Sequence, residues 1–154
     1  MDNNRWSLQG MTALVTGGAS GIGFVFLTHF SASVNNVGAI RSKPTIEYTA
    51  EDFAFHISTN LEAAYHFCQL SHPLLKASGY GNIVFISSIT GVVSATFGSI
   101  YSATKGALNQ LARNLACEWA NDGIRANAVA PNVINTPLSQ SFLDDLGLKE
   151  SLIQ

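Results

Sequence analysis

The sequence predicts an α/β domain with a parallel sheet, on three observations. Short apolar runs at residues 11–16 (MTALVT), 82–87 (NIVFIS) and 124–130 (IRANAVA) read as strands. Stretches at 61–75 and 102–120 carry apolar residues at helical spacing. The strand-like and helical segments alternate along the chain, which argues for parallel strands with crossover helices.

The chain-wide numbers bound the function. At 154 residues the chain suits one domain with a real core. Apolar residues make up 47% and charged residues 12%, against a usual charged share of about 25%. So greasy a surface suggests burial against a partner. Net charge is −2 with no basic run, which excludes a nucleic-acid backbone as partner. No run reaches the ~18 apolar residues of a membrane span, and the first ten residues lack a signal-peptide core. Cys68 and Cys117 stand far apart in apolar helical patterns with no metal-ligand spacing, so both read as reduced core thiols. The expected compartment is the cytoplasm, and no metal is expected.

In chain order, the strand at 11–16 runs into Gly17-Gly18-Ala19-Ser20-Gly21-Ile22-Gly23. A strand, a glycine-rich turn and a helix can lay phosphates on backbone N–H groups, although such a turn is often only a turn. Residues 24–34 (FVFLTHFSASV) hold no Asp or Glu, and Asn35-Asn36-Val37-Gly38 follows at once. A strand before Asn35 has only about residues 31–34 to form in. Residues 41–49 form a polar loop around Pro44. Thr49 then caps a helix, with Asp52 at the fourth place of a capping box. That helix carries Phe53, Phe55 and Ile57 towards Asn60, a polar residue in an apolar setting that reads first as structural. Along 61–75 the apolar stripe is Ala64, Phe67, Cys68, Leu70, Leu74 and Leu75. His29, His56, His66 and His72 read as surface or helix-end residues.

The turn at 78–81 precedes the strand at 82–87, and the loop 88–99 leads to the helix at 102–120. Tyr101 and Lys105 lie four apart and so share a helix face. A cation beside a phenol lowers its pKa from about 10, which suits proton transfer near neutral pH. Taken alone, Tyr-x-x-x-Lys is a common accident on amphipathic helices.

Three separated motifs fall in one order: Thr16-Gly17-x-x-x-Gly21-x-Gly23, then Asn35-Asn36-Val37-Gly38, then Ser88 followed by Tyr101-x-x-x-Lys105. Together they resemble the short-chain dehydrogenase/reductase family. The texture of 5–23 and 35–139 is similar to its plant tropinone-reductase-like branch. The resemblance implies a doubly wound Rossmann-type sheet and NAD(P)(H)-dependent reduction of a small ketone or oxidation of an alcohol. It makes Tyr101 the proton donor or acceptor, with Lys105 depressing the phenol pKa and holding the nicotinamide ribose. Ser88, thirteen positions before Tyr101, would bond the substrate oxygen in preference to its neighbour Ser87. Asn60 matches the asparagine that holds a water in the proton relay, which replaces the structural reading. Gly17, Ser20, Gly21, Ile22 and Gly23 would cradle the pyrophosphate. Asn36 and Gly38 would line the adenosine side, and Ile134 and Thr136 would touch the carboxamide. Asn132 stands where the family usually has glycine. The branch implies NADP(H) rather than NAD(H).

Two departures matter. In the family a helix, a strand, a second helix and a third strand separate the glycine turn from Asn-Asn-x-Gly; here residues 24–34 replace them. The expected sheet is therefore partial, lacking the family's second, third and last strands. The residues that hold the adenosine ribose and select the cofactor have no counterpart, which predicts weak cofactor affinity and impaired turnover. Residues 138–154 (LSQSFLDDLGLKESLIQ) stop where the family continues into its substrate lid. The expected organisation is an incomplete dinucleotide-binding domain at 1–140 and a divergent, poorly ordered tail at 141–154. Joining strand 1 directly to the family's fourth strand gives a left-handed crossover if the first helix keeps its face. Residues 24–34 are accordingly expected to be the least ordered part outside the termini. Three functions follow as expectations. One is a truncated oxidoreductase; one is a catalytically inactive isoform that associates through helices 61–75 and 102–120, with itself or with full-length relatives; one is a product that does not fold stably.

Overall fold

Parallel strands need a long connection between each pair, and among the described residues helices form the two connections after β2. A computed structural model describes residues 12–17, 33–136 and 139. Its strands are β1 (Leu14–Thr16), β2 (Ser33–Asn35), β3 (Gly81–Ile86) and β4 (Ile124–Val129), all parallel in the order β1-β2-β3-β4. The β1–β2 connection, and with it the expectations for residues 24–32, lies outside the described residues, as does the tail at 141–154.

Between β2 and β3 the chain forms α1 (Ala50–Ile57) and α2 (Ala63–Ser78), joined without a break by a π-helical turn, Ser58–Glu62. Thr49 starts α1 as expected: its hydroxyl accepts from Asp52 N–H at 3.1 Å and its own N–H donates to Asp52 Oδ2 at 3.2 Å. Between β3 and β4 lie a 3-10 turn (Ile89–Gly91) and α3 (Ser99–Glu118). Helix α3 begins three residues before the expected Ser102, with Gly98 in the left-handed region as its N-cap.

One core sits between the sheet and the helices. Ile83 and Phe85 of β3, with Ile124 and Ala126 of β4, pack against Ala64 and Cys68 of α2 and Leu108, Ala112 and Leu115 of α3. The opposite sheet face holds a smaller cluster of Val34 and Ile86, with Val15 and Val84 against it.

Four expectations about burial are corrected. Helix α1 buries Asp52 and His56 and leaves Phe53 exposed, because the side carrying Asp52 and His56 is the one that meets Arg41 and Lys43. His56 is thus not a surface residue; it is fully buried. His72 is half-buried, with Nε2 2.7 Å from Asp122 Oδ2 and its ring tilted at 51° against Trp119, centroids 4.6 Å apart. Cys117 lies exposed on α3, while Cys68 is buried, its thiol pushed up to about 12 by desolvation. The α2 stripe is wider than the sheet can cover: Ala64 and Cys68 go inward, but Leu70 and Leu74 remain 73% and 75% exposed and Phe67 is also outside.

Candidate active site

In open parallel sheets, sites form beyond the carboxyl ends of the strands, and the singled-out residues of this chain gather there. The register sets Thr16 beside Asn35, Asn35 beside Phe85, and Ile86 beside Val129. Ser87 N–H donates to Val129 O at 2.8 Å and Ile89 N–H to Pro131 O at 2.8 Å, which carries the pairing past β3 and brings Ser88 to the rim.

Ser88 caps the 3-10 turn, accepting from Thr90 N–H at 3.3 Å and Thr90 Oγ1 at 3.1 Å. Ser88 is also a hydrogen-bonding neighbour of the Tyr101 phenol and favours its ionised form. Ser87 instead donates to Lys105 O at 2.9 Å, deep in the core, and so anchors the helix rather than facing the site. Gly91 permits the turn to lie directly on α3. A methyl group there would sit 2.7 Å from the Lys105 carbonyl carbon and 2.8 Å from Gly106 N.

Lys105 is buried, and among the described residues no carboxylate pairs with it. Its ammonium donates to Ile86 O at 2.7 Å and lies 5.5 Å from the Tyr101 ring centroid. Burial pushes its pKa down to about 8. Burial also raises the Tyr101 pKa, which the Ser88 hydrogen bond only partly offsets. The expected depression of Tyr101 is therefore reversed: desolvation of the phenolate outweighs an ammonium turned to a backbone carbonyl.

The Lys105 shift carries a pH prediction. Between its folded pKa of about 8 and the ~10.4 of an unfolded lysine, the unfolded chain binds more protons, so stability climbs with pH, by up to about 3 kcal/mol. The raised Cys68 thiol acts oppositely above pH ~8.5 and the raised Tyr101 above pH ~10. The Lys105 share is therefore read as a difference: urea midpoints from pH 7.5 to 10 should rise more, or fall less, in wild type than in Lys105→Met, and parallel profiles count against it.

Asn60 sits on the π-helical turn, fully buried. Its Oδ1 accepts from Ala39 N–H at 2.8 Å, and its Nδ2 donates to Ala39 O at 2.9 Å and Thr104 Oγ1 at 3.3 Å. The side chain clamps the segment after the Asn-Asn-x-Gly motif onto α3. Gly38 is part of that contact: a methyl on it would approach Lys105 Nζ to 3.1 Å. Asn36 reaches back to the first motif, donating to Gly17 O at 3.3 Å, while its N–H donates to Thr16 Oγ1 at 3.1 Å. Gly17 follows β1 with φ +65°. Ser20, Gly21, Ile22 and Gly23 lie outside the described residues. Ile134 is exposed beyond β4, and Thr136 N–H donates to Ser139 Oγ at 3.1 Å, closing a local turn. Among the described residues no three His, Cys, Asp or Glu side chains gather as a metal would require.

Thr104 and His56 were missed from sequence. Thr104 is buried, donates to Tyr101 O at 2.7 Å and receives Asn60. Its signal was available: a polar residue on the buried face of α3, in line with Leu108, Ala112 and Leu115. His56 had none, since α1's pattern placed its apolar face elsewhere.

The chain matches the family model for short chain dehydrogenase over residues 27–147. It is similar to tropinone reductase homologs of Arabidopsis thaliana. One is 53% identical over 210 aligned positions, covering 98% of this chain and 68% of the relative; another is 54% identical over 213, covering 99% and 79%. Alignments longer than the 154-residue chain leave many positions of these relatives without a counterpart here. Among solved structures, a gluconate 5-dehydrogenase from Burkholderia cenocepacia in complex with NADP and tartrate superposes with a TM-score of 0.72 at 30% identity, over 77% of this chain and 46% of that one. An oxidoreductase of the short-chain dehydrogenase/reductase family from Burkholderia thailandensis gives 0.72 at 27%, over 80% and 48%. The chain spans about half the length of these two structures. With the match taking in β2 to β4 and every helix that builds the Tyr101 site, this chain belongs to the short-chain dehydrogenase/reductase family.

Proposed function

We propose that the chain is a nicotinamide-dependent oxidoreductase for a small ketone or secondary alcohol, with Tyr101 as the proton donor. The observation that carries this reading is the convergence of Ser88, Tyr101 and Lys105 beyond the carboxyl end of β3, with Ser88 a hydrogen-bonding neighbour of the phenol and the Lys105 ammonium 5.5 Å from its ring. The phenol proton would be given to a carbonyl oxygen. The raised Tyr101 pKa keeps that proton in place at neutral pH, favouring the reductive direction; oxidation, which needs the phenolate, should speed up as pH rises.

The donor chemistry fits a nicotinamide ribose. Lys105 uses one N–H on Ile86 O and has two further donors of the kind a ribose diol accepts, beside the open Cα of Gly38. When bound, the nicotinamide supplies a hydride to the carbonyl carbon as the proton reaches the oxygen. Ser88, Tyr101 and Lys105 would orient the reacting groups, Asn60 would secure the segment beneath them, and Gly17, Asn36, Ile134 and Thr136 would lie along the dinucleotide. NADP(H) is favoured over NAD(H), on the branch resemblance and the NADP in the Burkholderia cenocepacia enzyme. A cytoplasmic setting goes with the free thiols Cys68 and Cys117; among the described residues no helix is long and apolar enough to cross a membrane.

A second reading rests on the exposed Phe67, Leu70 and Leu74: a catalytically inactive chain that pairs through α2, with itself or with full-length relatives. Cofactor titration followed by thermal melting separates the two. NADPH at ten times its Kd should stabilise the fold by about 1.4 kcal/mol, or about 3–6 °C for a domain of this size. A cooperative melt that NADPH and NADH both leave unmoved favours the interaction module. No cooperative melt at all favours a product that does not fold.

A further inference from the structure

We propose that His56, outside the reacting groups, is a positioning residue for the Tyr101–Lys105 pair, acting through the main chain of residues 38–41. The proposal rests on the catalytic reading of that pair.

His56 is fully buried, and both ring nitrogens are used. Arg41 N–H donates to Nε2 at 3.0 Å, which makes Nε2 the unprotonated nitrogen; Nδ1 then carries the proton and donates to Asp52 O at 2.7 Å. The other end of the Arg41 peptide is held as well, its carbonyl accepting from Tyr48 Oη at 2.7 Å, and the Tyr48 ring stands edge-on to His56. The Arg41 guanidinium lies on Phe55 at 3.9 Å and pairs with Asp52 at 3.0 Å. Arg41 is therefore pinned through its N–H, its carbonyl and its side chain.

What is pinned matters because the three residues before Arg41 touch the catalytic helix. Ile40 Cδ1 comes within 3.4 Å of where a side chain on Gly98, the N-cap of α3, would begin. Ala39 is clamped through Asn60 to Thr104, the residue before Lys105. Gly38 closes over Lys105 Nζ. If the Arg41 end is released, the cover over the ammonium loosens and water reaches it.

The test reads Lys105 directly, by NMR titration of the full chain labelled with 13Cε-lysine; Lys105→Met identifies the signal. Wild type should titrate near 8. His56→Leu keeps the volume but removes both hydrogen bonds, and should raise the Lys105 midpoint by at least about one pH unit towards the ordinary lysine value. His56→Gln, whose side-chain oxygen can accept the Arg41 N–H, should restore most of the shift. An unchanged Lys105 midpoint in folded His56→Leu overturns the proposal, as does an equal shift in both variants. If His56→Leu does not melt cooperatively, Tyr48→Phe, which removes only the hydroxyl on Arg41 O, takes its place; it should give a smaller rise, and no rise overturns the proposal. The titration needs no turnover. A chain that reduces no ketone yet moves Lys105 as described keeps the positioning and loses the catalytic reading.

Discussion

Tyr101→Phe is expected to slow ketone reduction by about 10²–10⁴-fold while leaving a cooperative melt. The substitution keeps the ring and its packing near Lys105 and removes only the proton that points to the substrate. It also removes the hydrogen-bonding contact of the phenol with Ser88. The lost hydrogen bond should cost about 1 kcal/mol of stability, whereas the rate loss corresponds to about 3–5 kcal/mol of barrier. Rate and stability therefore separate. Single-turnover NADPH oxidation with a small ketone measures the first, and a urea melt the second. A variant that keeps more than about a tenth of the wild-type rate would remove Tyr101 from the role of proton donor.

Phe85→Ala should be the most damaging core change, at about 3–5 kcal/mol. Among the described residues Phe85 is the largest fully buried side chain, on the strand between β2 and β4, packed in the cluster that joins the sheet to α2 and α3. A domain of this kind has about 5–15 kcal/mol in total, so the loss should lower the melting temperature by about 6–20 °C. Leu74→Ala is the matched control. Its side chain is 75% exposed on α2, so an isolated chain should lose less than about 0.5 kcal/mol. If α2 is a docking face, Leu74→Ala should instead weaken association in analytical ultracentrifugation. Equal melting temperatures for Phe85→Ala and wild type would show that the core does not hold the sheet as described.

Legibility differed by residue type. The strands at 82–87 and 124–130 were readable to within a residue: β3 lies between two strands and carries a continuous apolar run, while β4 alternates buried Ile124 and Ala126 with exposed Arg125 and Asn127. Tyr101, Lys105 and Ser88 were readable because one helical turn and one strand end set their spacing. Helix α1 was readable in its start, through the Thr49–Asp52 box, but not in its orientation. A helix lined by a neighbouring main chain buries hydrogen-bonding residues, and hydrophobic periodicity is blind to that. The width of α2's apolar stripe was visible, but not how much of it the sheet covers.

The sequence by itself determined the α/β class, the order of the motifs and the residues that could transfer a proton, because these follow from local pattern and from spacing along the chain. Only the tertiary structure decided that His56 lies in the core, that Asn60 grips Ala39, and that Tyr101 rises while Lys105 falls in pKa. Those outcomes depend on burial and on which backbone groups a side chain meets across the fold. Both are set by residues far away in the chain, and no local pattern records them.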